Sequence, residues 1–165
     1  MKVMVRWIGL LARLVVGGVW IWAGALKLPH LESSVTAVRA YQLLPTSTTD
    51  TVGRLLPLVE VAVGVLLVLG LLTRVSGLVS ALLLIAFIVG ISSVWARGIS
   101  INCGCFGDGG YDPNAAAKYP WEIARDTALA LGSLLLVWRP RTPASLDGLL
   151  FPQRDVAAEP VTADT

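Results

Sequence analysis

The sequence alternates between long apolar runs and short polar segments. Four runs are about long enough to cross a hydrocarbon core of ~30 Å as helices, which takes about 20 residues each. They cover residues 7–25, 55–72, 75–96 and 121–138. The third run contains no charged residue, whereas the fourth opens with three charged residues and then becomes purely apolar. The pattern predicts an all-α integral membrane protein, a bundle of four membrane-spanning helices.

The segments between the runs predict how these helices are connected. Only Thr73 and Arg74 separate the second and third runs, so these two spans should form a tight antiparallel pair. Residues 31–44 carry apolar side chains at helical spacing and are followed by Pro45, which favours a short amphipathic helix on the outer face of the membrane. The chain therefore divides into a four-span domain, 1–138, and a polar, proline-containing tail, 139–165, expected to be disordered.

Composition supports a membrane protein and excludes other classes. Hydrophobic residues make up 55% of the 165 residues and charged residues only 15%, compared with roughly 25% charged residues in soluble domains. The mean hydropathy is +0.73. A soluble globule of this length could not cover so much apolar surface, and a disordered chain would not contain it. The net charge of +2 comes from scattered basic residues, which argues against nucleic-acid binding.

Flanking charge predicts the orientation in the plasma membrane. Basic residues near the expected cytoplasmic ends of the spans are Lys2, Arg6, Arg74, Arg139 and Arg141. This bias places both termini in the cytoplasm and both cysteines outside it. The six tryptophans fall near the predicted boundaries, which is typical of lipid anchors. An alternative is that the first run is a signal peptide with a cleavage-like site at residues 23–25.

The clearest chemical signal is the pair Cys103 and Cys105, separated by Gly104 in the loop after the third run. Two residues of chain span at most ~7 Å, so a disulfide is sterically feasible if Gly104 lets the backbone bend. Such a bond would close almost no loop and would contribute little stability. Reversible thiol–disulfide exchange is therefore the leading interpretation, against inert thiols, a passive disulfide or a metal site. The last would need acidic ligands, because His30 is the only histidine.

A second set of candidate residues is charged and lies within the spans. Glu60 lies roughly 8 Å and Arg125 roughly 6 Å below the outer ends of their runs, at ~1.5 Å per residue. We expect these two side chains to pair beneath the cysteine loop, either as an architectural ion pair or as part of the function. A nearby cation, Arg125 or Lys27, would favour a reactive thiolate. Arg13 lies near the opposite face and is expected to extend to the cytoplasmic headgroups.

Several motifs together resemble the family of the methylamine-utilisation protein MauE, within the DoxX-like group of four-helix membrane proteins. The motifs are Ala23-Gly24-Ala25-Leu26-Lys27-Leu28, Tyr41-Gln42-Leu43-Leu44-Pro45, Leu56-Pro57-Leu58-Val59-Glu60 with Gly64, Arg97-Gly98, Cys103-Gly104-Cys105-Phe106-Gly107, and Arg125. The resemblance covers about residues 5–138. It implies redox handling outside the cytoplasm, linked to maturation of methylamine dehydrogenase and to thioredoxin-like proteins. It also implies that Cys103 and Cys105 are the redox pair, supported by Lys27, Glu60, Arg97 and Arg125.

The leading functional hypothesis is thiol–disulfide exchange with a thioredoxin-fold partner at the outer face, with a membrane quinone as a plausible electron carrier. One dithiol cannot relay electrons across about 30 Å of bilayer, so the exchange should be confined to that face. The main alternative is a non-enzymatic membrane scaffold for an extracytoplasmic redox complex. A third reading, a small-molecule carrier lined by Glu60 and Arg125, is weaker because the spans contain few polar groups.

Overall fold

The computed structural model describes residues 2–107 and 109–138, and it is almost entirely helical. The elements in chain order are α1 (Lys2–Lys27), a 3₁₀ turn (Leu28–His30), α2 (Leu31–Ala40), α3 (Thr46–Leu69), α4 (Thr73–Ala96), β1 (Ile101–Cys103), β2 (Gly109–Tyr111) and α5 (Ala115–Trp138). The predicted tail, 139–165, lies outside the described residues. The prediction of an all-α protein is confirmed, apart from one two-stranded hairpin that the sequence pattern did not indicate.

Three helical segments are long and apolar enough to cross a membrane: Trp7–Ala40, Thr46–Leu69 and Thr73–Ala96. They contain the first and third predicted runs, and the second except for its last three residues, 70–72, which form the turn before α4. The helix α5 has a similar length, but Glu122, Arg125 and Asp126 lie in its first half. Two of these charged side chains are buried inside the protein and the third is partly buried. A fourth span by α5 therefore remains a prediction, and the inward placement of its charges is compatible with it.

The four long helices pack mainly as two pairs, α1 with α3 and α4 with α5. In the first pair, glycines allow the two backbones to approach closely. A Cβ atom added to Gly64 would lie 2.7 Å from the carbonyl oxygen of Gly17, and one added to Gly24 would lie 2.8 Å from the carbonyl oxygen of Pro57. Small residues at helix interfaces allow the same close contact in membrane proteins generally.

The centre of the bundle contains buried apolar side chains and a hydrogen bond between two buried polar groups. Leu67, Leu84 and Leu136 are buried in one cluster with Trp20. The indole N–H of Trp20 donates a hydrogen bond of 2.7 Å to the hydroxyl of Ser80. The prediction that every tryptophan is a lipid anchor is therefore wrong for Trp20, because its ring is 4% exposed and its polar atom is satisfied within the protein.

The helix predicted at residues 31–44 is present, but it ends earlier, at Ala40. Gln42 then adopts a left-handed backbone conformation (φ 53°), which ends the helix before Pro45. The inner side of α2 contacts protein: Val35 packs against Gly53 of α3, and Ala37 packs against Gly109 of the hairpin. The helix therefore connects α3 to the cysteine-bearing hairpin.

The close contact of α1 and α3 gives a direct test of the packing. Gly64→Ala places a Cβ against backbone atoms of α1, and overpacking of this kind costs typically ~1–3 kcal/mol. We expect a lower midpoint of thermal unfolding for the detergent-solubilised protein. Gly18→Ala is the matched control, because no atom lies within 4 Å of its added Cβ and alanine favours the helix. Equal midpoints for the two variants would contradict the close approach.

Candidate functional site

The two cysteines lie at the end of β1 and in the turn that follows it. Cys103 pairs with Gly109 in the antiparallel hairpin, and Cys105 lies two residues further along. Gly104 has a positive φ of 70°, a conformation that glycine adopts without strain and that folds the chain back here. The backbone N–H of Cys105 lies 3.5 Å from the sulfur of Cys103 and donates to it. Both side chains are free thiols, and the turn brings them together, as the sequence predicted.

Two tyrosines hold this hairpin against the helices. The hydroxyl of Tyr119, on α5, accepts a hydrogen bond of 3.0 Å from the N–H of Ile101 and lies 2.8 Å from the carbonyl oxygen of Ile99. The hydroxyl of Tyr41 donates a hydrogen bond of 2.8 Å to the carbonyl oxygen of Cys103. Arg97 donates in turn to the carbonyl oxygen of Tyr41. The position of Cys103 therefore depends on hydrogen bonds to the backbone on either side of it.

The two thiols have unequal acidities. The thiol of Cys105 donates a hydrogen bond to the sulfur of Cys103, and this lowers the pKa of Cys103 although burial opposes it. The same hydrogen bond, together with burial, raises the pKa of Cys105 well above its ordinary value. Cys105 is 7% exposed, whereas Cys103 is partly accessible. Cys103 is therefore the thiol suited to attack, and Cys105 is the protonated, enclosed one.

The predicted ion pair between Glu60 and Arg125 is wrong. Glu60 instead accepts a hydrogen bond of 2.6 Å from Lys27, and their side chains are 0% and 3% exposed. The reason is the close antiparallel contact of α1 and α3 at Gly24 and Pro57. Lys27 and Glu60 lie about one helical turn to either side of this contact, and helical side chains lean toward the N-terminus of their own helix, so the two side chains reach back toward each other. The Lys27 ammonium also lies 5.7 Å from the centre of the Phe87 ring.

Arg125 pairs with its own neighbour in the sequence. Its Nε and Nη2 atoms donate hydrogen bonds of 2.9 Å and 2.8 Å to the same oxygen, Oδ1, of Asp126. The guanidinium also lies 4.7 Å from the centre of the Phe106 ring, next to Cys105 in the chain. The prediction for Arg13 is wrong as well, because this side chain is 2% exposed and remains among the helices instead of extending to headgroups.

A pocket beneath the cysteine turn brings these groups together. Its cavity volume is about 20 Å³, which is room for a single water molecule. Cys105, Glu60, Arg125 and Asp126 line it, with aromatic and aliphatic walls. The other lining residues are Val16, Val19, Trp20, Ala23, Leu84, Phe87, Phe106 and Leu129. The buried thiol thus faces a mainly apolar space that holds a few charged groups, as ligand and active sites commonly do.

Three of the six predicted site residues line this pocket, and Cys103, Lys27 and Arg97 do not. Glu60 and Arg125 line it with Cys105, and Lys27 reaches it through Glu60. Arg97 lies outside the pocket and supports the hairpin through Tyr41. Among the described residues, no group of three or more histidine, cysteine or acidic side chains could hold a metal ion.

One buried polar face, on α5, was not predicted from the sequence. Tyr119, Glu122 and Asp126 are all buried, and their spacing of three and four residues places them on one side of the helix. Glu122 lies close enough to Cys103 for its charge to oppose the lowering of the pKa of that thiol. The helical spacing of these residues is visible in the sequence, where the two acids lie at the start of the fourth apolar run.

Comparisons with known proteins agree on one family. The family model described as Methylamine utilisation protein MauE matches residues 5–139. A curated relative, the Methylamine utilization protein MauE of Paracoccus denitrificans, is 35% identical over 91 residues, which cover 54% of this chain and 49% of the relative. The chain thus aligns with about half the length of that relative. No solved structure matches the chain.

The unequal acidities of the thiols predict how each reacts with an alkylating reagent. The thiolate is the reacting form, so alkylation accelerates as the pH rises through the pKa. Cys103 should reach half of its maximal rate below the ordinary thiol pKa of ~8.5, and Cys105 above it. Peptide mass spectrometry after timed alkylation between about pH 6 and 10 would measure both midpoints.

Variants of Cys105 test the cause of this difference. Cys105→Ala removes the hydrogen-bond donor and should raise the alkylation midpoint of Cys103, whereas Cys105→Ser keeps an O–H donor and should shift it less. Identical midpoints for Cys103 in wild type and Cys105→Ala would show that the thiol of Cys105 does not lower the pKa of Cys103.

The buried ion pair of Lys27 and Glu60 should be important for stability. Lys27→Met leaves a buried carboxylate without its partner, which typically costs ~3–5 kcal/mol. We expect a large fall in the thermal midpoint and partial recovery in Lys27→Met/Glu60→Gln, where both charges are absent. Arg54→Met is the control, because its pairing with Glu32 is exposed and such pairs contribute at most about 1 kcal/mol. A similar small effect for both single variants would contradict the buried pairing.

Proposed function

The chain belongs to the family of the methylamine utilisation protein MauE, and from this premise we propose that it is a membrane protein of thiol–disulfide exchange. We place it in methylamine utilisation, as the name of its Paracoccus denitrificans relative suggests. The partner would be a thioredoxin-fold protein on the extracytoplasmic side, as in maturation of methylamine dehydrogenase. Cys103 and Cys105 would react at the outer face, and both termini would lie in the cytoplasm.

The observation that carries this proposal is the hydrogen-bonded thiol pair with opposite pKa shifts. Cys103, with the lowered pKa, is at least partly accessible, and Cys105, with the raised pKa, lies behind it against the pocket. An accessible thiolate beside an enclosed thiol suits an exchange reaction in which one cysteine attacks and the other resolves. A passive disulfide would not require unequal acidities.

The exchange proceeds in two steps. The thiolate of Cys103 attacks one sulfur of a partner disulfide, which forms a mixed disulfide and releases one partner thiolate. Cys105 then loses its proton and attacks the sulfur of Cys103, and the second partner thiolate leaves. The products are a Cys103–Cys105 disulfide and a reduced partner, so two electrons pass to the partner. The reverse sequence oxidises a reduced partner through the same intermediates.

An electron carrier would extend this scheme. A membrane quinone would be the electron carrier that exchanges two electrons and two protons with the cysteine pair. The pocket lies directly beneath Cys105 and has the aromatic walls Trp20, Phe87 and Phe106. The exchange with a protein partner does not depend on this carrier.

A scaffold function is the second candidate, and one observation favours it. The buried pair of Lys27 and Glu60 lies between α1 and α3, where it supports packing of the bundle. In a pure scaffold the cysteines would be dispensable, whereas the contacts of α2 with the hairpin would be needed for a redox complex to assemble.

Trapping of the mixed disulfide separates the two candidates. In Cys105→Ser the resolving thiol is absent, so Cys103 should form a stable adduct with the partner that dithiothreitol removes. Cys103→Ser is the matched control and should trap little or nothing, because the enclosed, protonated Cys105 is a poor nucleophile. The measurement is a non-reducing gel of acid-quenched host cells, with mass spectrometry of the adduct.

The scaffold would be favoured by a different result. If neither variant formed an adduct, and if the double variant Cys103→Ser/Cys105→Ser still supported growth on methylamine, thiol–disulfide exchange by this pair would be refuted. Loss of growth after disruption of α2 alone would then locate the function in assembly.

A further inference from the structure

The second step of the exchange presents a problem that the structure helps to solve. Cys105 must become a thiolate before it can attack the mixed disulfide, yet it is 7% exposed and its pKa is well above the ordinary value. Bulk water has little access to this sulfur. A group inside the protein must therefore receive its proton if the step is to be fast at neutral pH.

Asp126 is placed to receive that proton. It lines the same pocket as Cys105, and it is 2% exposed. Arg125 binds only Oδ1 of the carboxylate, with two hydrogen bonds that fix its orientation. The other oxygen, Oδ2, is buried and has no hydrogen-bond partner within the described part of the chain. A buried polar atom without a partner is costly and usually has a functional explanation.

Two other acids near the pocket, Glu60 and Glu122, also have a buried oxygen without a partner among the described residues. Glu60, from α3, also has a free oxygen, but its other oxygen is bound by Lys27 of α1. Arg125 is a permanent cation and cannot accept a proton. Glu122, about one helical turn before Asp126 on α5, does not line the pocket, and the α5 carboxylate whose charge raises the pKa of Cys105 is that of Asp126. The side chains that α4 contributes to the pocket, Leu84 and Phe87, are uncharged.

We propose that Asp126 is the proton acceptor for Cys105 in the resolving step, an assignment that rests on the proposed exchange function. The Sγ–H bond of Cys105 breaks and the proton moves to Oδ2 of Asp126. The sulfur of Cys105 then bonds to the sulfur of Cys103, and the bond between Cys103 and the partner sulfur breaks. The proton returns to the leaving partner thiolate or to solvent, and the carboxylate is regenerated. The guanidinium of Arg125 fixes the carboxylate throughout.

The test uses the full-length reduced protein in detergent and a small aromatic disulfide that releases a coloured thiolate. Attack by Cys103 releases the first equivalent, and resolution by Cys105 releases the second, so the two steps are seen as separate phases. In Asp126→Asn, the amide oxygen can still accept from Arg125, but no proton can be taken up. We expect the first phase to change little and the second to slow on the order of 100-fold at neutral pH. The difference between the second-phase rates of wild type and Asp126→Asn should become smaller at high pH, because hydroxide then removes the proton of Cys105.

Three further variants serve as controls. Cys105→Ser should release only the first equivalent, which confirms the assignment of the phases. Asp50→Asn neutralises an exposed carboxylate on α3 and should leave both phases unchanged. Asp126→Glu retains a carboxylate and should restore much of the second phase.

Defined results would overturn the assignment. A second phase as fast in Asp126→Asn as in wild type, or equal slowing of both phases at every pH, would rule out proton acceptance by Asp126. If Asp126→Asn does not fold, the wild-type protein can be measured in heavy water instead. The rate of the second phase should fall in heavy water, and the rate of the first phase should not. If heavy water affects both phases equally, the proposal is refuted. A wild type that releases no second equivalent would refute the exchange function itself.

Discussion

The close contact between α1 and α3 is the constraint on which the rest of the site depends. Glycines let the two backbones meet at Gly24 and Pro57, and this brings Lys27 and Glu60 into a fully buried ion pair. Two charges inside an apolar bundle are tolerated only when each is paired. The pairing therefore specifies how α3 is rotated against α1, and it fixes one wall of the pocket beneath the cysteines.

The cysteine turn is held from both sides over that wall. Tyr119 reaches it from α5 and Tyr41 from the segment after α2, and both bind backbone atoms. Asp126 and Arg125 complete the pocket from α5. The long helices α1, α3, α4 and α5 thus all contribute residues to the surroundings of the thiols. A change in the packing of these helices would therefore alter the environment of the sulfur atoms. This arrangement gives the two cysteines a defined electrostatic environment.

The sequence predicted the helices and the proximity of the two cysteines, because apolar run length and cysteine spacing are local properties. It could not predict which charges pair. Distance along a span fixes the depth of Glu60 but not the direction in which it points, and the choice between Lys27 and Arg125 depends on that direction. The hairpin was also missed, since its three-residue strands are held in place by distant tyrosines. Arg13 was misplaced because a long basic side chain can be buried as readily as it can extend outward.

The ion pairs also determine how the protein would respond to the voltage across its membrane. Moving one elementary charge through the full potential is worth about 2.3 kcal/mol per 100 mV. Lys27 with Glu60 and Arg125 with Asp126 each sum to zero, and the partners lie within 2.6 Å and 2.8 Å of one another. An energised membrane therefore exerts almost no net force on the buried cluster.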